Sequence, residues 1–359
     1  MVNILQLDEL KRKIKAGMFT PVYFVFGNEA YLINHYVNQI VNSNVTALPE
    51  VNLRVFDTNF DINEISSVLY QVPMLSAKKC VVLNDFDLST ASQKDIESLL
   101  QVIENPSDVA ILIFKYTTIE LSFDKKGKAS KPHKNYITVA EAIDKFGGSI
   151  VNINHLTLGD TVKTLMSGAS KRGCVLLADT AKYMIEYTSF DLTTLLCELE
   201  KVCSYVGEGD ITKEVINKIC TRSINSVIYD MAKAILANDA NKSMQILENL
   251  LNQKHKETDI LREISKSYID IYRMHAAHNS NISVKTVADD FDYGFRSFVL
   301  NSSSTFAHKL SAKQLKLSLE AIETADEMLK GGSKLKNGDA LRMLIIKLVL
   351  ISTKGELPC

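Results

Sequence analysis

The first 150 residues alternate between short apolar runs and segments in which apolar residues recur at three and four spacings. The apolar runs are rich in β-branched and aromatic residues and predict strands: "PVYFVFG" (21–27), "NLRVFD" (52–57), "CVVLND" (80–85), "DVAILIF" (108–114) and "GSIVNI" (148–153). The segments that predict helices between them are "EAYLINHYVNQIV" (29–41), "INEISSVLYQV" (62–72) and "QKDIESLLQVIE" (93–104). Strands that are apolar throughout are buried on both faces, which predicts a parallel sheet covered by helices.

From about residue 154 the helical spacing continues to the end of the chain. Four helical segments fill residues 154–222, and Asp191 or Ser189 is placed to cap the third of them. A second helical block begins near residue 223 without a Pro/Gly-rich linker. The predicted fold is therefore an α/β domain over residues 1–153 followed by two all-α domains, 154–222 and 223–359.

The stretch "YFVFGNEAYLINHYV" (23–37) has the order of a phosphate-binding strand, loop and helix. A working phosphate loop continues from its first glycine with four residues and then Gly-Lys-Ser/Thr, in which the lysine reaches the phosphates and the hydroxyl binds Mg²⁺. Counted from Gly27, those three positions are Leu32, Ile33 and Asn34. The geometry of a nucleotide fold is thus predicted without the groups that hold the nucleotide.

Other catalytic patterns are missing from the sequence. It has no G-x-S-x-G, H-E-x-x-H or G-x-G-x-x-G. Asp85 follows a predicted strand at the position of a metal-binding aspartate, but without a phosphate loop we expect a loop carboxylate. His275 and His278 share a predicted helix face, and we expect exposed or capping side chains rather than metal ligands. No catalytic residue, metal or cofactor is predicted.

Composition narrows the class of protein further. The chain has 359 residues, 46% of them hydrophobic and 23% charged, as in a soluble globular protein. Its net charge of -1 does not require a nucleic acid as partner, and the lysine-rich segment 124–134 is expected to be a solvated loop. The six cysteines lack a C-x-x-C pair and are expected to be buried, reduced side chains. No signal-peptide pattern or membrane span appears, which predicts a cytoplasmic protein and a buried helix over residues 341–352.

The order of these features resembles the delta subunits of bacterial DNA polymerase III, the clamp-loader subunits that open the sliding clamp. The similar segments, which follow the family's order along nearly the whole chain, are "PVYFVFGNEAYLINHYV", "QVPMLSAKKCVVLND", "AILIF", "TSFDLTTLLCELEKVCSYVG", "DIT" (210–212) and "SVIYDMAKAILANDANKSMQILENLL". The most specific is "DLTTLLCELEKV", because the family carries a similar Asp-Leu and Glu-Leu-Glu-Lys pattern in its second domain.

The resemblance implies an AAA+-like architecture without ATPase chemistry, with a small helical lid and a C-terminal helical collar. It also implies partners: the beta sliding clamp, the delta prime and gamma or tau subunits through the collar, and primer–template DNA as part of the complex. The chain would then be a non-catalytic subunit of a nucleotidyltransferase assembly. In the family, the apolar loop after the second helix docks in a pocket of the clamp.

Carried to this sequence, the docking residues are Met74 and Leu75, flanked by Pro73 and Ser76. Leu75 offers less apolar area than the aromatic residue that the family often has there. Burying each of two large apolar side chains in a partner contributes about 1.5 to 3 kcal/mol, which also favours a docking role for this loop. Two alternatives stay open at this point: an active AAA+ ATPase of a replication or helicase-loading complex, and a structural helical adaptor.

Overall fold

A computed structural model describes residues 2–57, 62–119, 121, 134–188, 190–291, 293–331 and 338–354. The chain divides into two compact units, Met1–His155 and Leu156–Cys359. Of the lysine-rich segment 124–134, only Lys134 lies within the described residues.

The first unit is built on a parallel sheet. Within its described residues the strands are β1 Ile4–Leu5, β2 Val22–Phe26, β3 Leu53–Phe56, β4 Lys79–Asn84, β5 Ala110–Lys115 and β6 Ser149–Asn152. Their order across the sheet is β1-β6-β2-β5-β4-β3, and every neighbouring pair is parallel. The central strands β2, β4 and β5 are buried along almost their whole length. The predicted parallel sheet with two covered faces is confirmed.

Helices connect these strands because parallel neighbours need a crossover. They are α1 Leu7–Lys15, α2 Ala30–Asn44, α3 Pro49–Asn52, α4 Ile62–Leu69, α5 Gln93–Glu104 and α6 Lys134–Lys145. Each longer helix buries one apolar face; in α5 that face is Ile96, Leu99, Val102 and Ile103. Phe24 of β2 lies at the centre of the core, with its ring 5.0 Å from the ring of Tyr116 and 6.1 Å from that of Phe114. This packed sheet is a rigid base for the turns and loops at its edges.

The second unit is mostly helical. Its first part contains α7 Leu158–Ser170, α8 Ala178–Tyr187, α9 Leu192–Val206 and α10 Lys213–Ile219. Asp191 caps α9, as the sequence predicts, by accepting a 2.7 Å hydrogen bond from the backbone N–H of Thr194. Two short parallel strands, β7 Cys174–Val175 and β8 Gly209–Asp210, join the helices. The prediction of an all-α domain is wrong in that detail. The sequence did not reveal these strands, because two residues are too few to show the alternating pattern of a strand.

The remaining helices pack in two clusters of buried apolar residues. They are α11 Ile224–Leu236, α12 Ala240–Asn252, α13 Glu257–Asn279, α14 Val284–Asp290, a 3₁₀ helix Gly294–Ser297, α15 Phe298–Ala307, α16 Ala312–Lys330 and α17 Asp339–Lys354. The side chain of Arg342 on α17 pairs with both carboxylate oxygens of Glu248 on α12, at 2.6 and 2.9 Å. No helix in the described part of the chain is long and apolar enough to cross a membrane. The α/β unit followed by helices confirms the predicted fold class, whereas the division near residue 222 stays a prediction.

Candidate functional site

The turn after β2 is built around a close backbone approach at Gly27. Gly27 has a φ of +145°, and a Cβ placed there would lie 2.0 Å from the carbonyl oxygen of Ile153. Only glycine allows the backbone of the segment after β6 to approach this closely. The glycine is therefore required by the packing of this chain, independently of any nucleotide.

Residues 153–155 cover this turn with hydrogen bonds. Ile153 N–H donates to Phe26 O at 2.8 Å, and the backbone N–H of Glu29 donates to Ile153 O at 3.3 Å. Further along, His155 N–H donates to Asn28 Oδ1 at 2.8 Å, and His155 Nδ1 lies 2.9 Å from Glu29 Oε2. The Glu29 side chain is buried beside the start of α2, where a carboxylate is favoured by the helix dipole and would repel a phosphate.

The three positions that would hold a nucleotide are already occupied within the fold. Leu32 and Ile33 are buried, Ile33 completely, and pack into the core from α2. Asn34 is exposed, and its Oδ1 accepts a 2.9 Å hydrogen bond from Lys115 Nζ at the end of β5. None of the three residues is the glycine, lysine or serine/threonine that a working phosphate loop has there.

Asp85, after β4, is a structural carboxylate. Its oxygens accept hydrogen bonds from Thr117 N–H at 2.7 Å, Thr117 Oγ1 at 2.8 Å and Thr118 N–H at 2.9 Å. Burial raises the pKa of Asp85, but these hydrogen bonds outweigh it and hold the pKa below its usual value. Burial lowers the pKa of the nearby Lys115, although the negative charges of Asp85 and Asp57 act to raise it. The expectation of a loop carboxylate agrees with this geometry.

The loop between α4 and β4 presents apolar side chains to solvent. Leu75 is 83% exposed, Met74 54% and Val72 75%, while Pro73 is half-buried. Tyr70, at the start of the loop, is 54% exposed. Apolar side chains that are exposed singly are ordinary, but a run of them on one loop is typical of an interaction site. Sequence reasoning selected Met74 and Leu75 and missed Val72, although the unbroken "VPML" was a visible signal.

Both ends of this loop are anchored to the domain. Tyr70 O–H donates to Asn105 O at 2.8 Å, and Lys79 Nζ donates to Gln71 Oε1 at 2.8 Å. The Lys79 side chain is buried, so this bond fixes Gln71 to the first residue of β4. The exposed residues therefore lie on a short segment between two fixed points.

The histidines of the second unit hold helices together. His275 Nδ1 lies 2.9 Å from Ala307 O, and His278 Nε2 lies 3.0 Å from Ser304 Oγ. The ring of His278 stacks on that of His308 at 4.1 Å, and the pKa of His278 is lowered by burial and by the neighbouring histidines. The expectation of exposed or capping side chains holds for His275, whose ring bonds the last carbonyl of α15, whereas His278 is half-buried against that helix.

The five cysteines within the described ranges are free thiols. Cys80, Cys174, Cys203 and Cys220 are buried and free, as expected, whereas Cys197 is exposed on α9, contrary to that expectation. Cys359 lies outside the described residues. Across the described ranges no three His, Cys, Asp or Glu side chains are grouped so that they could hold a metal ion.

Comparison with known proteins decides the family. A family model described as "DNA polymerase III, delta subunit" matches residues 23–141, and one described as "DNA polymerase III delta subunit, C-terminal domain" matches residues 225–348. The two together match more than half of the chain. It belongs to the family of DNA polymerase III delta subunits.

Individual relatives agree with this assignment. The chain is 21% identical over 354 residues to DNA polymerase III subunit delta of Bacillus subtilis, covering 96% of this chain and 97% of that protein. It is 22% identical over 264 residues to a probable DNA polymerase III subunit delta of Aquifex aeolicus, covering 70% of each. The solved structure of the Bacillus subtilis DNA clamp loader delta protein shares the fold, with a TM-score of 0.62, 20% identity and coverage of 95% of this chain and 99% of that one. The resemblance seen in the sequence is confirmed, and the delta family includes both the α/β and the C-terminal helical part of the chain.

Replacing Gly27 with Ala tests the close approach at the turn after β2. The new Cβ would overlap the Ile153 carbonyl, so we expect the free energy of unfolding to fall by about 2 to 4 kcal/mol. Gly17→Ala is the matched control, because Gly17 also has a positive φ but a Cβ at that position would have no atom within 4 Å. Urea denaturation followed by circular dichroism measures both, and equal losses would show that Ile153 does not restrict this turn.

Replacing Asp85 with Asn tests the hydrogen bonds at the end of β4. Because the pKa of Asp85 is lowered in the folded protein, its stabilising effect is present above the unfolded value of about 3.9 and is lost as the pH falls through the folded value. At pH 7 we expect amide hydrogen-exchange protection of Thr117 and Thr118 to fall about three- to tenfold in the variant, the range for a hydrogen bond worth about 0.5 to 1.5 kcal/mol. The difference from the wild type should shrink at pH 3. Exposed Asp108→Asn is the control, and a difference that persists unchanged at pH 3 would contradict this role.

Proposed function

We propose that this chain binds the beta sliding clamp through the loop Val72–Leu75 and biases the clamp toward its open form, without hydrolysing ATP itself. The observation that carries the proposal is the exposure of Met74 and Leu75 on a loop whose ends are fixed. Membership of the delta family supports it, as does the description of the Bacillus relative as a clamp loader protein.

The energy available from the loop fits a protein-binding role. Burying one large apolar side chain contributes about 1.5 to 3 kcal/mol, so Met74 and Leu75 together contribute about 3 to 6 kcal/mol if both are fully buried. A micromolar complex requires about 8 kcal/mol. Val72, which is 75% exposed, is therefore proposed as a third anchor, and polar contacts around the loop complete the interface.

Clamp opening follows as a shift between existing conformations. A loop that binds the loosened form of the clamp interface more tightly than the closed form moves the ring toward opening, by no more than the difference between those two affinities. ATP bound by neighbouring subunits would control when the loop is accessible. This chain then contributes binding energy and no catalytic group.

Assembly with the other loader subunits is proposed for residues 223–359. The partners are the delta prime and gamma or tau subunits, with primer–template DNA held by the complex. Met343 and Ile346 on α17 are 40% and 51% exposed, although the opposite face of the same helix is buried. Apolar residues on both faces of a helix are typical of one that packs against a second partner.

Replacing both Met74 and Leu75 with Ala tests the clamp-binding loop. Loss of both anchors should weaken binding to the sliding clamp of the same organism by about 100-fold, which corresponds to about 3 kcal/mol. The matched control is Val175→Ala with Leu177→Ala, a pair of similarly exposed apolar residues in the second unit. Titration calorimetry measures both variants, and a double loop variant that binds like the wild type would overturn the site.

The isolated chain should not bind nucleotide. With Leu32 and Ile33 buried and Asn34 bound to Lys115, we expect no saturable binding of Mg·ATP in titration calorimetry at up to millimolar concentration. Micromolar binding would favour the active-ATPase alternative instead. A chain that binds neither ATP nor the clamp would favour the structural adaptor.

A further inference from the structure

Asn52 bonds the backbone of the clamp-binding loop from 22 residues away. It is the last residue of α3, and its side chain is almost completely buried, with 1% exposed. Its Oδ1 accepts a hydrogen bond from Met74 N–H at 2.9 Å, and its Nδ2 donates to Met74 O at 2.7 Å. One carboxamide thus pairs with both polar groups of a single backbone residue, as a neighbouring strand would.

The other side of the loop tip is tied to the same segment. Ser76 Oγ donates to Ala47 O at 2.7 Å and accepts from Ala47 N–H at 2.9 Å. Asn52 Nδ2 also lies 2.7 Å from Ala47 O and 3.2 Å from Ser76 Oγ. Residues 47–52 therefore bond the backbone of Met74 and the side chain of Ser76, the two residues on either side of Leu75.

Leu75 has a backbone conformation that a free chain avoids. Its φ is +55°, in the left-handed region, which is unfavourable for a residue with a branched side chain. Such a conformation persists only where the surroundings fix it. Packing of the Leu75 side chain does not compensate for this conformation, because the side chain is 83% exposed.

We infer that Asn52 is a positioning residue that holds Met74 and Leu75 in the clamp-binding conformation before the clamp arrives. The inference rests on the proposed function of the loop. Without the tether the backbone would leave the strained conformation, and the apolar side chains would turn toward their own domain. The binding-competent form would then be only a fraction of the population, and the apparent association rate would fall by that fraction.

Replacing Asn52 with Ala separates positioning from contact. The anchors Met74 and Leu75 remain, so we expect the association rate constant for the clamp to fall about tenfold, with little change in the dissociation rate constant. The Met74→Ala, Leu75→Ala double variant should instead change mainly the dissociation rate constant, which rises because the variant loses contacts in the complex. Surface plasmon resonance on the full-length chain measures both rates, and Asn42→Ala, an exposed asparagine on α2, is the matched control.

Hydrogen exchange gives a readout that does not depend on the clamp. In the free Asn52→Ala variant we expect the amide of Met74 to exchange at least tenfold faster than in the wild type, while amides of β4 and β5 keep their protection. Unchanged exchange at Met74 would overturn the inference, and so would an affinity loss found only in the dissociation rate.

Two outcomes distinguish this inference from the function on which it rests. If the loop double variant binds the clamp like the wild type, the proposed function fails. If that variant loses binding but Asn52→Ala associates normally, only the positioning role fails. Should Asn52→Ala not fold, Ser76→Ala removes the second tether from a half-buried position, and it must show the same slower association for the inference to hold.

Discussion

A buried carboxamide supports an exposed apolar loop, and the proposed function depends on that pairing. Exposed methionine and leucine side chains on a mobile loop would collapse onto the nearest apolar surface of their own domain. Here the side chain of Asn52 holds the backbone of Met74, and Ser76 is bonded to Ala47 on the far side of the tip. The polar groups of the loop form hydrogen bonds within the domain, while the apolar side chains of Met74 and Leu75 remain exposed to solvent.

Fixed backbone positions also characterise the parallel sheet and the turn after β2. The parallel sheet supplies rigid strand ends, and the turn after β2 is fixed by the approach of Ile153 to Gly27 and by the contact of His155 with Glu29. These interactions stabilise the domain with groups of the chain alone. The loop that follows α4 is bonded to this rigid domain, so it would lose less conformational entropy on binding a partner.

Much of the fold was predictable, because its signals are local. Uniformly apolar strands predicted the parallel sheet, and the spacing after residue 154 predicted the helices and the cap at Asp191. The strand β1 and helices α1 and α6 were not predicted. A two-residue strand gives no pattern, but α6 buries Tyr136, Val139, Ala140 and Ile143 at helical spacing, and that signal was overlooked. The half-buried histidines of α13 depend on α15, which lies about 30 residues further along the chain.

The site was predictable in part for the same reason. The missing phosphate-binding groups could be read from fixed spacing, whereas Met74 and Leu75 were implied by the resemblance to the delta family. Asn52 could not be found in this way, because an asparagine before a strand looks like any turn residue and its partner lies 22 positions away. Only the folded backbone brings the two together.

Titration of the nucleotide-free chain against the sliding clamp of the same organism measures whether the loop binds this partner without ATP. We expect saturable binding, with a negative heat capacity change from burial of the apolar loop. Absence of binding, or binding that requires ATP to be bound by this chain itself, would contradict the proposed function.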